Sequence, residues 1–319
     1  MHGEQRPSDG GKKLLKGKKT MEAIELESVK LSNGETLGYR FRPGGNETIL
    51  LIHGNMTSSK HWDLVLENLD EGYTIYAVDL RGFGVSTYHQ RIDSMKDFSE
   101  DIKLFADELG LKQFHVIGWS LGGGVAMQFA ADYPDYIKKL VLLESISTRG
   151  FPFMSPQPDG SWERLATREE MKEDKLRYIP VSSAYKNRES EPLRQMWKQT
   201  IYTHNEPEET RYQEYLEDMM TQRNLIDTYY ITNTFNISNE PNGLTEGTGE
   251  AAKITAPTLV LWGENERVVT REMTDQIITD IGENANMVIL ENCGHSPLID
   301  DLGQFLNVVV QFLEPSFAK

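Results

Sequence analysis

The sequence predicts an α/β protein: a mostly parallel β-sheet flanked by helices, with a mainly helical insertion late in the chain. Three observations carry this. Continuous apolar strands alternate with amphipathic helical stretches, as in a sheet covered on both faces. One such strand runs into a helix through a glycine-rich join, Gly118 to Gly124. The alternation stops near Thr148 and resumes with "APTLVLWGE" after Lys253.

Taken in order, "IELESVKLSNGETLGYRF" alternates as a hairpin, with Asn33-Gly34 as the turn signal. Then follow a strand "ETILLIHG", a helical "SKHWDLVLENL", a strand "TIYAVDL" and a helix "MKDFSEDIKLFADEL". The strand "FHVIG", the glycine-led helix and the strand "KKLVLLES" complete the first run. The second run is "APTLVLWGE", a helix "REMTDQIITDI", a strand "ANMVILENCG" and a final helix "GQFLNVVVQFLE". Between them, "EPLRQMWKQTIYTH" and "RYQEYLEDMMTQRNLIDTYYI" read as helices joined by stretches such as "SNEPNGLTEGTGE". The expected organisation is a disordered basic leader over 1–20, a core made of 21–147 and 254–319, and a helical cap over 148–253.

Composition narrows function. The formal net charge is −16. Residues 1–20 hold Arg6, Lys12, Lys13, Lys16, Lys18 and Lys19 against Glu4 and Asp9, so they carry +4 and the rest carries −20. A body that acidic repels phosphate backbones, which argues against nucleic acid as a partner. No window approaches the roughly 18 apolar residues of a membrane span, and "KKLLKGKK" lacks the apolar run of a secretory signal. The single cysteine, Cys293, excludes an internal disulfide and multi-cysteine metal sites. A cytoplasmic protein without metal or organic cofactor is expected.

The glycine-rich join carries chemistry. Gly118, Ser120 and Gly122 fit Gly-x-Ser-x-Gly, in which a sharp strand-to-helix turn presents the serine above the sheet's carboxyl edge. Gly122, Gly123 and Gly124 let the helix approach closely, with its N-terminal amides facing the serine. A phosphate-binding loop is disfavoured, because neither Gly-x-Gly-x-x-Gly nor a Gly-Lys-Ser/Thr ending is present. A serine hydroxyl is a weak nucleophile and needs a base, an orienting acid and donors for an oxyanion. Of seven histidines, His295 in "ENCGHSP" follows the last strand and falls at the same edge as Ser120. His53 reads as structural. For the acid, "LWGENERVV" offers Glu266 and Glu264, with Glu144 at the end of "KKLVLLES" a third candidate; Glu266 sits deep enough in its loop to turn back toward His295. The oxyanion donors are expected from the backbone N–H groups of Asn55, in "LLIHGNMTSS", and of Leu121.

With these residues in place the chain resembles the α/β-hydrolase superfamily from about residue 24 onward. The matching pieces are His53-Gly54-Asn55, "DLRGFGVS", Gly118-Trp119-Ser120-Leu121-Gly122, Gly263 with Glu266, and Gly294-His295, in the order nucleophile, acid, histidine. Many members carry aspartate where Glu266 stands. The "HGNMTSSKHW" segment looks like that of haloalkane dehalogenases, which attack with aspartate; serine at position 120 moves the chemistry to acyl carbons. The overall pattern is similar to bacillus-type hydrolases that include intracellular poly(3-hydroxybutyrate) depolymerases, and "GWSLGG" with Glu266 also resembles acyl-homoserine lactonases.

The resemblance implies a serine carboxylic ester hydrolase acting through an acyl-enzyme on a small ester or polyester. Its rivals are a lactonase, a hydrolase of carbon–carbon bonds, and a non-catalytic receptor or scaffold on the same fold. Trp119, Met56, Tyr229 and Tyr230 are the candidate substrate-binding residues. Trp197, Tyr212, Tyr215, Met219 and Met220 of the insertion have helical spacing, which favours packing within the insertion over ligand contact.

Overall fold

The computed structural model describes residues 24–314. The basic stretch over residues 1–20 lies outside them. Strands β1 (Glu25–Lys30) and β2 (Thr36–Arg42) form the hairpin, with Gly34 at φ 93° in its turn. Next come β3 (Glu47–Ile52), a 3₁₀ turn at Ser59–Trp62, α1 (Asp63–Asn68), β4 (Tyr73–Val78) and α2 (Met95–Glu108). Asp97 accepts a hydrogen bond from the Ser94 amide at 2.9 Å, fixing where α2 starts. Then follow β5 (Phe114–Trp119), α3 (Leu121–Asp132) and β6 (Ile137–Leu143).

The segment from β6 to the next sheet strand holds a short hairpin, β7 (Met154–Pro156) with β8 (Trp162–Arg164). It also holds five helices: α4 (Arg168–Lys172), α5 (Tyr178–Asn187), α6 (Ser190–Thr200), α7 (Glu209–Met219) and α8 (Leu225–Thr234). The chain closes with β9 (Thr258–Gly263), α9 (Arg271–Ile281), β10 (Ala285–Leu290), α10 (Pro297–Asp300) and α11 (Leu302–Leu313).

The sheet order is β1-β2-β4-β3-β5-β6-β9-β10. The β1–β2 and β2–β4 pairs are antiparallel and all others parallel. Alternate residues of each central strand serve opposite faces. Leu50, Ile52, Val116, Leu140 and Leu142 join Phe98, Phe105, Val125 and Phe129 of α2 and α3 in one core. Ile49, Leu51, Ile117, Val141 and Leu143 join Val65, Leu66, Phe305 and Val309 of α1 and α11 in the other. Burying each such side chain contributes roughly 1.5–3 kcal/mol. Runs that read as uniformly apolar are therefore two-faced strands.

Three local differences from the sequence reading have physical causes. "SKHW" starts as a 3₁₀ turn, because Ser58 caps it by accepting from the Lys60 amide at 3.1 Å. The stretch "RYQEYLEDMMTQRNLIDTYYI" is two helices, since the Arg223 amide donates to the Gly82 carbonyl at 2.8 Å and takes residues 220–224 out of helical bonding. The β7–β8 hairpin was not anticipated; its turn is set by Asp159, which accepts from the Ser161 amide at 2.9 Å, and by Gly160 at φ 85° in the left-handed region.

Candidate active site

Ser120 has φ 56° and ψ −116°, a backbone conformation that costs a non-glycine residue about 1–3 kcal/mol. It is held there from both sides. The Ser120 amide donates to the Leu143 carbonyl at 2.9 Å, and the Ser120 carbonyl accepts from Gly123 at 2.9 Å and Ile146 at 3.3 Å. Met56 and Glu144 also have positive φ, at 62° and 43°, so three of the six such non-glycine residues among those described sit where β3, β5 and β6 end.

The glycines around Ser120 answer to crowding. A Cβ on Gly122 would lie 2.2 Å from the Ile52 carbonyl oxygen, one on Gly118 would lie 2.3 Å from that of Gly122, and one on Gly123 would lie 2.1 Å from Ser145 Oγ. Here α3 runs against the end of β3 and the start of the β6 loop with no room for side chains. Leu121 is the first residue of α3, where an N–H has no intrahelical acceptor.

The loop after β3 is fixed by His53. The Leu80 amide donates to His53 Nε2 at 3.0 Å, so the ring's proton is on Nδ1, which donates to the Gly54 carbonyl at 2.7 Å. Complete burial lowers the His53 pKa and keeps the ring neutral. This is a structural histidine, locking the β3 loop to the β4 loop. It leaves Asn55 beside the serine turn, since a Cβ on Gly54 would fall 3.3 Å from Ser120 Cβ. Among the described residues, neither the Asn55 nor the Leu121 N–H donates to a protein acceptor.

His295 is placed by its backbone. Its carbonyl accepts from the Trp119 indole Nε1 at 2.8 Å, and the preceding Gly294 amide donates to Asp300 at 2.8 Å. Its imidazole Nδ1 lies 2.8 Å from Glu266 Oε2, and the other Glu266 oxygen accepts from the amides of Val268 and Val269. Burial works to raise the Glu266 pKa, but His295 and these donors outweigh it and hold the carboxyl below its ordinary value. Of the three acid candidates, Glu266 alone meets the histidine. Glu264 accepts from the Asn292 amide at 3.2 Å in an exposed turn, and Glu144 lies buried behind the pair. The Ser120 hydroxyl makes no hydrogen bond among the described residues.

Of the expected substrate-binding residues, Trp119 and Met56 are buried at the serine turn. Tyr229 and Tyr230 are half-buried and differently engaged: Tyr229 packs on Phe153 with ring centroids 5.0 Å apart, and Tyr230 lies under the Arg168 guanidinium at 3.8 Å. Trp197, Tyr212, Tyr215, Met219 and Met220 are buried in the second core, whereas Ile231, Phe235 and Ile237 of the same segment join the first.

Sequence reasoning missed the ties between that segment and the sheet edge. Gln222 Nε2 donates to Asn55 Oδ1 at 2.8 Å, and Tyr185 donates to Gln222 Oε1 at 3.2 Å. Ser58 donates to Asp218 at 2.6 Å, and His61 stacks on Tyr215 with centroids 4.2 Å apart. Asp300 accepts from the Asn205 amide at 2.8 Å as well as from Gly294, joining the segment to the His295 loop. No short motif marks such partners.

A family profile for the alpha/beta hydrolase fold matches residues 47–302, a span that includes every residue of this site. The chain belongs to the alpha/beta hydrolase family. Among its alpha/beta hydrolase relatives is a 2-hydroxy-6-oxononadienedioate/2-hydroxy-6-oxononatrienedioate hydrolase from Cupriavidus pinatubonensis, 27% identical over 84% of this chain and 87% of the relative. Another enzyme of that description, from Pseudomonas putida, is 25% identical over 92% of this chain and 98% of the relative. The structure of an esterase from Exiguobacterium antarcticum superposes with a TM-score of 0.68 over 89% of this chain and 98% of the esterase, at 19% identity. That likeness establishes the shared fold. Among the described residues no helix is long and apolar enough to cross a membrane.

Proposed function

We propose that this alpha/beta hydrolase is a serine hydrolase that cleaves a carboxylic ester through an acyl-enzyme, with Ser120 as nucleophile, His295 as base and Glu266 as orienting acid. The observation that carries the reading is the 2.8 Å His295–Glu266 bond behind a serine held in a strained turn. In this mechanism Ser120 Oγ attacks the ester carbonyl carbon and passes its proton to His295 Nε2. Glu266 at Nδ1 stabilises the imidazolium. The tetrahedral oxyanion is received by the N–H groups of Asn55 and Leu121. The protonated imidazole then gives its proton to the departing alcohol, and water, deprotonated by the same ring, releases the acid.

We assign the β6–β9 segment, residues 148–253, the role of a cap that selects substrate. A neutral acyl group or hydroxyalkanoate oligomer fits it better than a dicarboxylate. Three of its arginines are already committed: Arg168 to Asp227 and Asp93, Arg177 to the Met154 carbonyl, and Arg223 to the carbonyls of Gly84, Thr221 and Ser86. The names of the C. pinatubonensis and P. putida relatives favour a second reading, hydrolysis of a carbon–carbon bond beside a ketone, which the same residues can perform.

The test is a panel of p-nitrophenyl butyrate, homoserine lactones, hydroxybutyrate oligomers and a ring-fission dienedioate, with Ser120→Ala as control. Ester turnover that falls by about 10³-fold or more in Ser120→Ala supports the ester reading. Turnover confined to the dienedioate selects the second reading. Absence of both turnover and fluorophosphonate labelling at Ser120 leaves a non-catalytic role for the fold.

A further inference from the structure

Glu144 is a carboxyl group with nothing to neutralise it. It follows β6, its side chain is fully buried, and neither carboxyl oxygen receives a well-formed hydrogen bond among the described residues, although the Gly263 amide approaches it. Its backbone is held at φ 43°, with its amide donating to the Leu261 carbonyl at 3.0 Å, so the side chain is delivered to this place at a conformational cost. An ionised carboxylate without donors in such surroundings would cost several kcal/mol.

What it meets is another carboxyl, that of Glu266. Two carboxyls in contact are stable only when they share one proton. The donors decide which of the two carries it. Glu266 already accepts from Val268, Val269 and His295, the arrangement of an ionised carboxylate, whereas Glu144 is approached by the Gly263 amide without a well-formed bond.

We propose that Glu144 is a positioning residue of the triad: a neutral carboxylic acid whose O–H donates to Glu266, fixing that carboxylate against His295 and tempering its pull on the imidazole proton. This rests on the serine-hydrolase reading for its kinetic consequences, but not for the protonation state itself. Burial first, and then the charge of Glu266, push the Glu144 pKa well above its ordinary value, in keeping with a proton resident there. The titratable groups facing Glu144 are Glu266 from the β9–α9 loop and Asp300 and Cys293 from the segment after β10, with His295 reached through Glu266. No cation lies among them. With His295 neutral, the shared proton is therefore the only positive charge available to the pair among the described residues.

Glu144→Leu removes the donor and leaves Glu266 a stronger acceptor, so His295 holds its proton to higher pH. The acid limb of kcat/KM for p-nitrophenyl butyrate, which reports the base, is expected to move up by about one pH unit. Glu144→Gln supplies an amide N–H in the same place and is expected to return the limb to its wild-type position. A limb unmoved in Glu144→Leu, or moved equally in Glu144→Gln, overturns the proposal.

Infrared difference spectroscopy of wild type against Glu144→Gln at neutral pH gives a readout that needs neither turnover nor the leucine variant. A protonated-carboxyl stretch lost on substitution supports the assignment, and its absence refutes it. Fluorophosphonate labelling of wild-type Ser120 is scored separately: loss of labelling with the infrared band intact rejects the hydrolase reading and leaves the neutral Glu144 in place.

Discussion

Gln222 of the β6–β9 segment donates to the side chain of Asn55 at 2.8 Å, and Asn55 is the residue whose backbone N–H lies free beside Ser120. The partner in the segment thereby fixes the peptide expected to receive an oxyanion. Gln222→Leu is expected to lower kcat by roughly 10- to 100-fold with little change in KM, because misplacing a donor harms the transition state more than the bound substrate. Steady-state kinetics on p-nitrophenyl butyrate checks the split; a rise in KM alone would place Gln222 in ground-state binding.

The hydrogen bonding around His295 separates two nearby glutamates. Glu266→Gln is expected to lower kcat by about 10³- to 10⁴-fold through loss of imidazolium stabilisation. Glu264→Gln, two residues earlier but turned to Asn292, is expected to stay within about twofold. The pair of variants, assayed side by side, tests the choice of acid.

Gly122 packs α3 against the end of β3, where a methyl group would meet the Ile52 carbonyl oxygen at 2.2 Å and that of His53 at 2.6 Å. Both obstacles are backbone and cannot turn aside. Gly122→Ala is therefore expected to destabilise the fold by about 3 kcal/mol, despite the better helix propensity of alanine. Gly110→Ala is a useful contrast: it has open space around it but φ 66°, so only the backbone penalty of about 1 kcal/mol applies. Urea unfolding of the two variants separates the effects.

Glu250 joins the end of the β6–β9 segment to α2 and α3 through Lys96 at 2.8 Å and Gln128 at 3.4 Å. Burial raises its pKa, but these bonds prevail and hold it at about 2. A carboxyl depressed on folding stabilises the protein above its unfolded pKa and loses that contribution as pH falls through the folded one. Stability is thus expected to decline between about pH 4.5 and pH 2, with Glu250 accounting for about 2 kcal/mol of it. Glu250→Gln should be less stable at pH 7 and show a shallower decline across that window, measured by thermal unfolding.

The parts legible in the sequence are those written in local pattern. Strand order could not be read, yet the eight strands of the main sheet were visible, six as apolar runs and two as an alternating hairpin, and the Gly118–Gly124 join announced close packing because only glycine fits at Gly118, Gly122 and Gly123. The positions of Ser120 and His295 followed from a simple rule: each comes just after a strand whose end faces the same edge. Three acids remained open because all of them follow strands at that edge, and only the loop path of Glu266 decides which one reaches the imidazole. Gln222, Asp218 and Asp300 were invisible for a different reason. Their partners lie far along the chain, at Asn55, Ser58 and Asn205, and polar residues on helices and turns look alike whether they face water or a neighbour.

Strand β6 pairs directly with β9, Leu140 opposite Thr258 and Leu143 opposite Leu261, although residues 144–257 intervene. The two ends of that excursion leave and re-enter the scaffold side by side. Lengthening or trimming it changes the closure entropy only logarithmically. The bonds that set Glu266 against His295 come from Val268, Val269 and the imidazole itself, all beyond the point of re-entry, so sequence spliced between those neighbouring strands can vary while that pair keeps its own partners.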